Sequence, residues 1–255
     1  MLLAIDVGNT HTVLGLWDGA TLAHDFRIES SKGRTSDELL VLLLTLLEVA
    51  GVERRQVDAS ILASVVPALT DPLSHATRRA FGHDTMLVGP GIKTGMPILY
   101  ENPREVGADR IANAVAAYER TKSAVIVVDF GTGTNFDCVS ARGEFLGGVI
   151  APGMQISAEA LFTRAARLSR IPIAKPPRAI GRNTQHSVQS GIVFGYVGLV
   201  DGLVDRIRLE IDSPCRVLAT GGLARLVAPE SRTIEEVCPE LTLEGLRILF
   251  ERNQG

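Results

Sequence analysis

The chain repeats itself, and that limits its fold more than any other feature. Residues 2–8 read Leu-Leu-Ala-Ile-Asp-Val-Gly and residues 125–131 read Val-Ile-Val-Val-Asp-Phe-Gly. Each is an apolar run ending in Asp-x-Gly, followed by small polar residues, Asn9-Thr10 in one copy and Thr132-Gly133-Thr134 in the other. Each then enters a second strand-like run, residues 12–17 and 135–140, and turns at a Gly step, Asp18-Gly19 or Arg142-Gly143, into a third strand. A Gly step between two strand patterns is a hairpin signal. The echo continues, since residues 60–66 resemble residues 216–222. Helical patterns lie between, at residues 36–50 and roughly 187–209.

The expected fold is therefore α/β, built from two related β-β-β-α-β-α halves with mixed sheets and helices. The second half carries an insertion around residues 150–183. A helix over residues 108–120, with Ile111, Ala112, Val115 and Ala116 on one face, closes the first half. The boundary then falls at Thr121-Lys122-Ser123, giving halves 1–120 and 121–255. Two such halves are expected to leave a ligand cleft between them, with both Asp-x-Gly hairpins pointing into it.

Composition narrows the function classes. The 255 residues are 45% hydrophobic and 22% charged, which excludes wholesale disorder, and the net charge of −3 provides no footprint for nucleic acid. The three cysteines, Cys138, Cys215 and Cys238, show no Cys-x-x-Cys spacing, which argues against a disulfide framework or a zinc site and for a reducing cytosol. No basic segment or cleavage site opens the chain, so no signal peptide is expected. The most apolar stretch, residues 39–49, falls short of the roughly 20 residues a membrane span needs and is expected to be a buried helix. The expectation is a cytoplasmic protein with neither a membrane nor a nucleic-acid partner.

A carboxylate at a strand end beside glycine leaves its oxygens exposed, and successive N–H groups of a tight turn cradle phosphate oxygens. Carboxylate and phosphate together imply a bridging cation, most simply magnesium. The hydroxyls of Thr10, Thr12, Thr132 and Thr134 add donors. The pattern points to a nucleoside-triphosphate site built on hairpins, without a Walker sequence. Thr220-Gly221-Gly222 passes the backbone near an adenosine or is a plain strand-to-helix turn; both readings stand. Asp109, in Gly107-Ala108-Asp109-Arg110, is either a first-turn acid favoured by the helix dipole or a base facing the acceptor, with Arg110 for an anionic group. His11 either touches phosphate or decorates the hairpin surface.

The motifs Asp6-Val7-Gly8-Asn9-Thr10 and Asp129-Phe130-Gly131-Thr132 resemble the two phosphate motifs of the actin, heat-shock-chaperone and sugar-kinase superfamily, whose halves are ribonuclease H-like. Within it the chain resembles a type III pantothenate kinase, through residues 99–103, Gly107-Ala108-Asp109-Arg110, residues 148–153, Gly181-Arg182-Asn183-Thr184, Thr220-Gly221-Gly222 and the tail 241–246. The resemblance implies transfer of the ATP γ-phosphoryl group to the primary hydroxyl of pantothenate, the first step towards coenzyme A. It implies that Asp6, Val7, Gly8, Asn9, Thr10, His11, Thr12 and Val13 bind ATP phosphates with Asp6 near magnesium, and that Thr132 contacts ATP. It implies Asp109 as proton acceptor and Tyr100, Gly107, Ala108, Asp109, Arg110 and Thr184 as pantothenate contacts. It further implies that Asp129 binds a monovalent cation, potassium or ammonium, and that the protein is a homodimer with the substrate pocket near the subunit interface. The family often reads Asp-x-Gly-Thr-Ala-Thr-Thr-x-Asp; here Gly133 and Asn135 stand in place of its Ala and second Thr. The alternatives are another kinase of a small anionic metabolite, a nucleotide-dependent regulator that lost transfer, and a structural dimer with a vestigial cleft.

Overall fold

Strand β1, Leu2–Val7, is almost wholly buried because it is paired on both edges, antiparallel to β2 (His11–Asp18) and parallel to β4 (Ala59–Ser64). A strand hydrogen-bonded on both sides and covered on both faces needs a continuous apolar run. Strand β3 (Thr21–Glu29), at the sheet edge, alternates between exposed and half-buried residues instead. A computed structural model describes residues 1–165, 168–211 and 213–254.

The contacts divide the chain into two units. The first holds Met1–Met96, Glu101–Ala116 and the segment from Leu241 on; the second holds Pro97–Tyr100 and Ala117–Glu240. In the first, a short strand β5 (Met86–Leu87) completes a sheet of order β3-β2-β1-β4-β5. Helices α1 (Ser36–Ala50) and α2 (Pro67–Phe81) cover one face, with Leu39, Leu43, Leu47, Leu69 and Leu73 packed against Leu3, Ile5, Leu14 and Leu62. Helix α1 starts at a reciprocal capping box, in which Thr35 Oγ1 accepts from Glu38 N and the Glu38 carboxylate accepts from Thr35 N. It stops at Gly51 (φ 68°), a left-handed residue suited to glycine. The stretch expected as a buried helix is amphipathic in fact, since Val41 and Val49 are 65% and 73% exposed. A leucine-rich composition, seven of the eleven residues 39–49, hides the 3.6-residue stripe.

The second unit repeats the plan. Strands β6 (Ala124–Phe130), β7 (Gly133–Val139), β8 (Phe145–Pro152), β9 (Cys215–Thr220) and β10 (Glu236–Val237) form a sheet of order β10-β9-β6-β7-β8, the first sheet's order read backwards. Helix α4 (Met154–Arg164) and the 27-residue α5 (Thr184–Glu210) follow β8. Val193, Tyr196, Val200, Val204 and Ile207 of α5 pack against Ile126, Val128, Phe136 and Val217. Helix α5 is also long and apolar enough by composition to cross a membrane. Its inward face lies in this core, and its carboxylates Asp201 and Asp205 bind Arg232 and its neighbours, so it is a packed helix of the second unit.

The unit division differs from a cut at residue 120 in three places: Pro97–Tyr100 and residues 117–120 fall in the second unit, and the segment from Leu241 on falls in the first. The last helix, α7 (Leu241–Arg252), packs on β1, β2 and β4 of the first unit. It also lies against helix α3 (Ala108–Thr121), where a Cβ on Gly245 would stand 2.0 Å from the Ala112 carbonyl oxygen. Thr242 donates to the fully buried Asn113 at 2.7 Å beside that contact. The second unit accordingly ends its repeat with only a four-residue helix, α6 (Ala224–Val227), where the first has the 15-residue α2.

Candidate active site

In the first unit the Asp-x-Gly hairpin is closed by its own backbone. Gly8 N donates to the His11 carbonyl at 3.0 Å, and a Cβ at Gly8 would stand 3.0 Å from that same oxygen. Ser30 N donates to the Thr10 carbonyl at 3.0 Å, which ties the end of β3 to the turn. The result holds Asn9, Thr10 and His11 in solvent while Val7 is fully buried and Asp6 and Val13 are half-buried. Thr12 is 2% exposed and its hydroxyl pairs with Ser30 Oγ at 2.8 Å, so that oxygen is spent inside the fold. Nothing in the sequence marks Ser30 as its partner, because Ser30 lies 18 residues on, just past the end of β3.

Asp109 reaches the same end of this sheet through a short series of contacts. Val65 follows β4, and its N–H donates to the Val7 carbonyl at 3.0 Å. A Cβ at Gly107 would stand 3.6 Å from Val65 Cγ1 and only 2.5 Å from Asp109 Oδ1. Gly107 therefore leaves the space in which the Asp109 carboxylate folds back over the start of α3. Asp6 and Asp109 thus lie at the carboxyl ends of the parallel strands β1 and β4, the edge where open α/β sheets bind ligands. Burial pushes the Asp109 carboxyl above its ordinary value, and the N–H and charge of Arg110 pull the other way without cancelling the rise. Arg110 is 7% exposed and Ala108 half-buried.

In the second unit the corresponding hairpin is clasped from outside. Gly153 N donates to the Thr132 carbonyl at 3.1 Å, and a Cβ at Gly153 would stand 2.2 Å from that oxygen. Gly221, at φ 90°, is the other clasp, since a Cβ there would stand 2.6 Å from both Asp129 Oδ1 and the Phe130 carbonyl oxygen. The Asp129 carboxylate is consequently packed between Gly131 and Gly221 at the carboxyl ends of β6 and β9. Thr132 is half-buried. Thr134 is fully buried, and its hydroxyl has no hydrogen-bond partner among the described residues, so it is not displayed towards a phosphate.

Two further predicted residues lie elsewhere in this unit. The Tyr100 ring leans on Phe145, with centroids 6.4 Å apart, and lies over Gly147 of β8. Thr184 is the first residue of α5, whose cap Asn183 accepts from His186 N at 2.8 Å. Thr184 lines a cavity of about 600 Å³ with Arg182, Ser187, Val188 and Leu161. Among the described residues no cluster of three or more His, Cys, Asp or Glu side chains could hold a metal alone. A cation at these strand ends would keep its waters and take phosphate oxygens, which suits magnesium and a lone carboxylate such as Asp6.

Comparison with known proteins identifies the chain's family. A family model described as type III pantothenate kinase matches residues 2–206. A type III pantothenate kinase of Pelobacter propionicus is 59% identical over 254 residues, and one of Anaeromyxobacter sp. is 58% identical over 254 residues, each alignment covering 100% of both chains. Among solved structures, a protein described as a Baf family transcriptional activator from Campylobacter jejuni has a TM-score of 0.62 at 19% identity, covering 98% of each chain. The activator of the 2-hydroxyisocaproyl-CoA dehydratase from Clostridium difficile, solved with bound ADPNP, has a TM-score of 0.59 at 13% identity, covering 99% of this chain and 96% of its own. These two likenesses establish the fold alone.

Proposed function

The chain belongs to the type III pantothenate kinase family and is an ATP-dependent kinase of pantothenate, and from that premise we propose how its residues share the reaction. Asp109 is the proton acceptor. It takes the proton of the primary hydroxyl as that oxygen attacks the γ-phosphorus of ATP, and ADP leaves with the broken bond's electrons. The observation that carries this assignment is the Asp109 carboxylate folded over Gly107 at the same sheet edge as Asp6, with its affinity for a proton raised by burial.

Asp6 and the turn from Gly8 to His11 hold the phosphates, through backbone N–H groups and a divalent ion; Thr132 contacts ATP from the second motif. When bound, the divalent ion neutralises charge that builds on the phosphoryl oxygens. Asp129 holds a monovalent cation, and its seat between two glycines supports a small spherical occupant. Thr220-Gly221-Gly222 runs beside the adenosine. Tyr100, Gly107, Ala108, Arg110 and Thr184 contact pantothenate. The working form is a cytoplasmic homodimer, supported by uncovered apolar surface on α4 and α5, where Ile156 and Leu161 are exposed and Gly191, Gly195 and Gly198 have open space before them.

The test is an assay of ADP and phosphopantothenate formation with magnesium and ATP, with potassium and then with sodium alone. Phosphopantothenate is expected in the first case and much less in the second. Asp109→Asn should still bind ATP while turnover collapses; wild-type turnover in that variant would remove Asp109 from the role of base.

A further inference from the structure

Asp201 lies on α5, carries none of the roles assigned above, and is only 9% exposed. A buried carboxylate is costly unless its oxygens are satisfied. Here they are, and all by one segment. Ser231 Oγ donates to Oδ1 at 2.6 Å, Thr233 Oγ1 donates to Oδ1 at 2.7 Å, and Arg232 N donates to Oδ2 at 3.3 Å. The Arg232 guanidinium stands 3.8 Å from Oδ2 and also binds Asp205, one turn on. Burial works to raise the Asp201 carboxyl, and these donors outweigh it, so the group is held below its ordinary value and stays ionised.

The segment so gripped is the far end of the excursion that begins at Gly221. From the Gly221-Gly222 turn the chain runs through α6 and the 3-10 turn Ala228–Glu230 to Ser231. Its near end is fixed by Gly221 packing on Asp129 and Phe130, and its middle by Ala224 and Val227, both fully buried against α5. Lys175 adds a tie to Glu230 at 2.6 Å. An excursion that leaves a fixed turn at one end needs an anchor at the other as well if it is to present one backbone shape. Asp201 accepts hydrogen bonds from three consecutive positions at its far end.

We infer that Asp201 is a positioning residue for nucleotide binding, which acts through Ser231, Arg232 and Thr233 to hold the Gly221–Glu230 excursion in its ATP-binding shape. The inference rests on the reading of Thr220-Gly221-Gly222 as the adenosine loop. It places one determinant of nucleotide affinity on α5, the same helix whose first residue, Thr184, is assigned to pantothenate.

The test uses the full chain. Asp201→Ala is expected to raise the KM for ATP by about tenfold, the scale of losing a buried charged hydrogen-bond acceptor, with kcat at saturating ATP and the KM for pantothenate close to wild type. Asp201→Asn keeps an oxygen for Ser231 and Thr233 and should recover most of the affinity. The pair Ser231→Ala with Thr233→Val should copy Asp201→Ala, and it serves if Asp201→Ala does not fold. A purely structural role would lower Tm and the active fraction while leaving the KM for ATP unchanged, and that result overturns the inference. Photolabelling of the wild type with an azido analogue of ATP separates the two premises. Label on the 221–230 peptide with an unchanged KM in a folded variant removes Asp201 alone; absence of label there removes the adenosine-loop reading and the inference with it.

Discussion

The two Asp-x-Gly hairpins sit at the same place in two sheets of the same strand order, yet they are built to opposite ends. The first closes on itself through Gly8 and His11 and leaves Asn9, Thr10 and His11 open. The second is pressed by Gly153 and Gly221, and its carboxylate is packed against glycine on two sides. The difference teaches that duplication supplied a frame and not a function. An open turn can follow a triphosphate whose charge moves during reaction, whereas a closed one suits an ion that stays put. Asp109, the proposed base, belongs to neither hairpin and is brought to the first by Val65 and Gly107.

The largest expected effect lies on the open side. Asp109→Asn should reduce kcat by about 10²–10⁴-fold, the usual worth of a positioned base. The same variant should melt higher than wild type at about pH 7. Folding raises this carboxyl's pKa, so the stability it allows is fully present below its unfolded value and lost as pH rises through its folded value. Asn removes that cost, and its advantage in Tm should shrink towards about pH 4; a destabilised Asp109→Asn at neutral pH would contradict the burial argument. Activity should correspondingly fall on acidification from a higher pH than an exposed aspartate would give.

Next comes the clasp. Gly153→Ala drives a methyl into the Thr132 carbonyl and should cost about 3 kcal/mol, whereas Gly8→Ala meets its neighbour at 3.0 Å and should cost about 1 kcal/mol. Chemical denaturation of both variants measures the contrast, and equal losses would erase the distinction between a pressed and a self-closed hairpin. Asp129→Ala should then abolish the difference between potassium and sodium assays while leaving a residual sodium rate; persistent activation would move the cation elsewhere. The smallest effect is expected where the chain departs from its family's pattern. A Cβ at Gly133 would stand 3.1 Å from Asn135 Oδ1, so the two departures share one space. Gly133→Ala alone should be mildly destabilising, by about 1 kcal/mol, and adding Asn135→Thr should restore most of it.

Much of this was legible in the residues, for reasons that are local. Thr35, Glu38 and Gly51 carry the start and stop of α1 within the helix's own sequence, and the repeated Asp-x-Gly hairpins carry the sheet order. The start of α5 at Thr184 was less plain than its body, because its cap is Asn183 and its first turn has no apolar stripe. What the sequence hid is non-local. Nothing near Thr12 announces Ser30, nothing near Asp201 announces Ser231, and the return of α7 to the first sheet depends on a glycine-to-backbone contact 133 residues away in sequence, between Gly245 and Ala112. Hydroxyls counted as phosphate donors on pattern alone, those of Thr12 and Thr134, turned out to be enclosed.

That return of α7 has a consequence for synthesis. A ribosome makes the strands of the first sheet and the start of α3 long before it makes residues 241–252, so one face of that sheet waits uncovered through the whole translation of the second unit. Helix α3, whose second residue is Asp109, gains its backbone-tight contact at Ala112 only when α7 arrives. A chain that stops before α7 contains Asp6, Asp109 and Asp129 and still lacks the helix that packs on α3 at Ala112 and Asn113, so transfer is expected only once synthesis has passed α7.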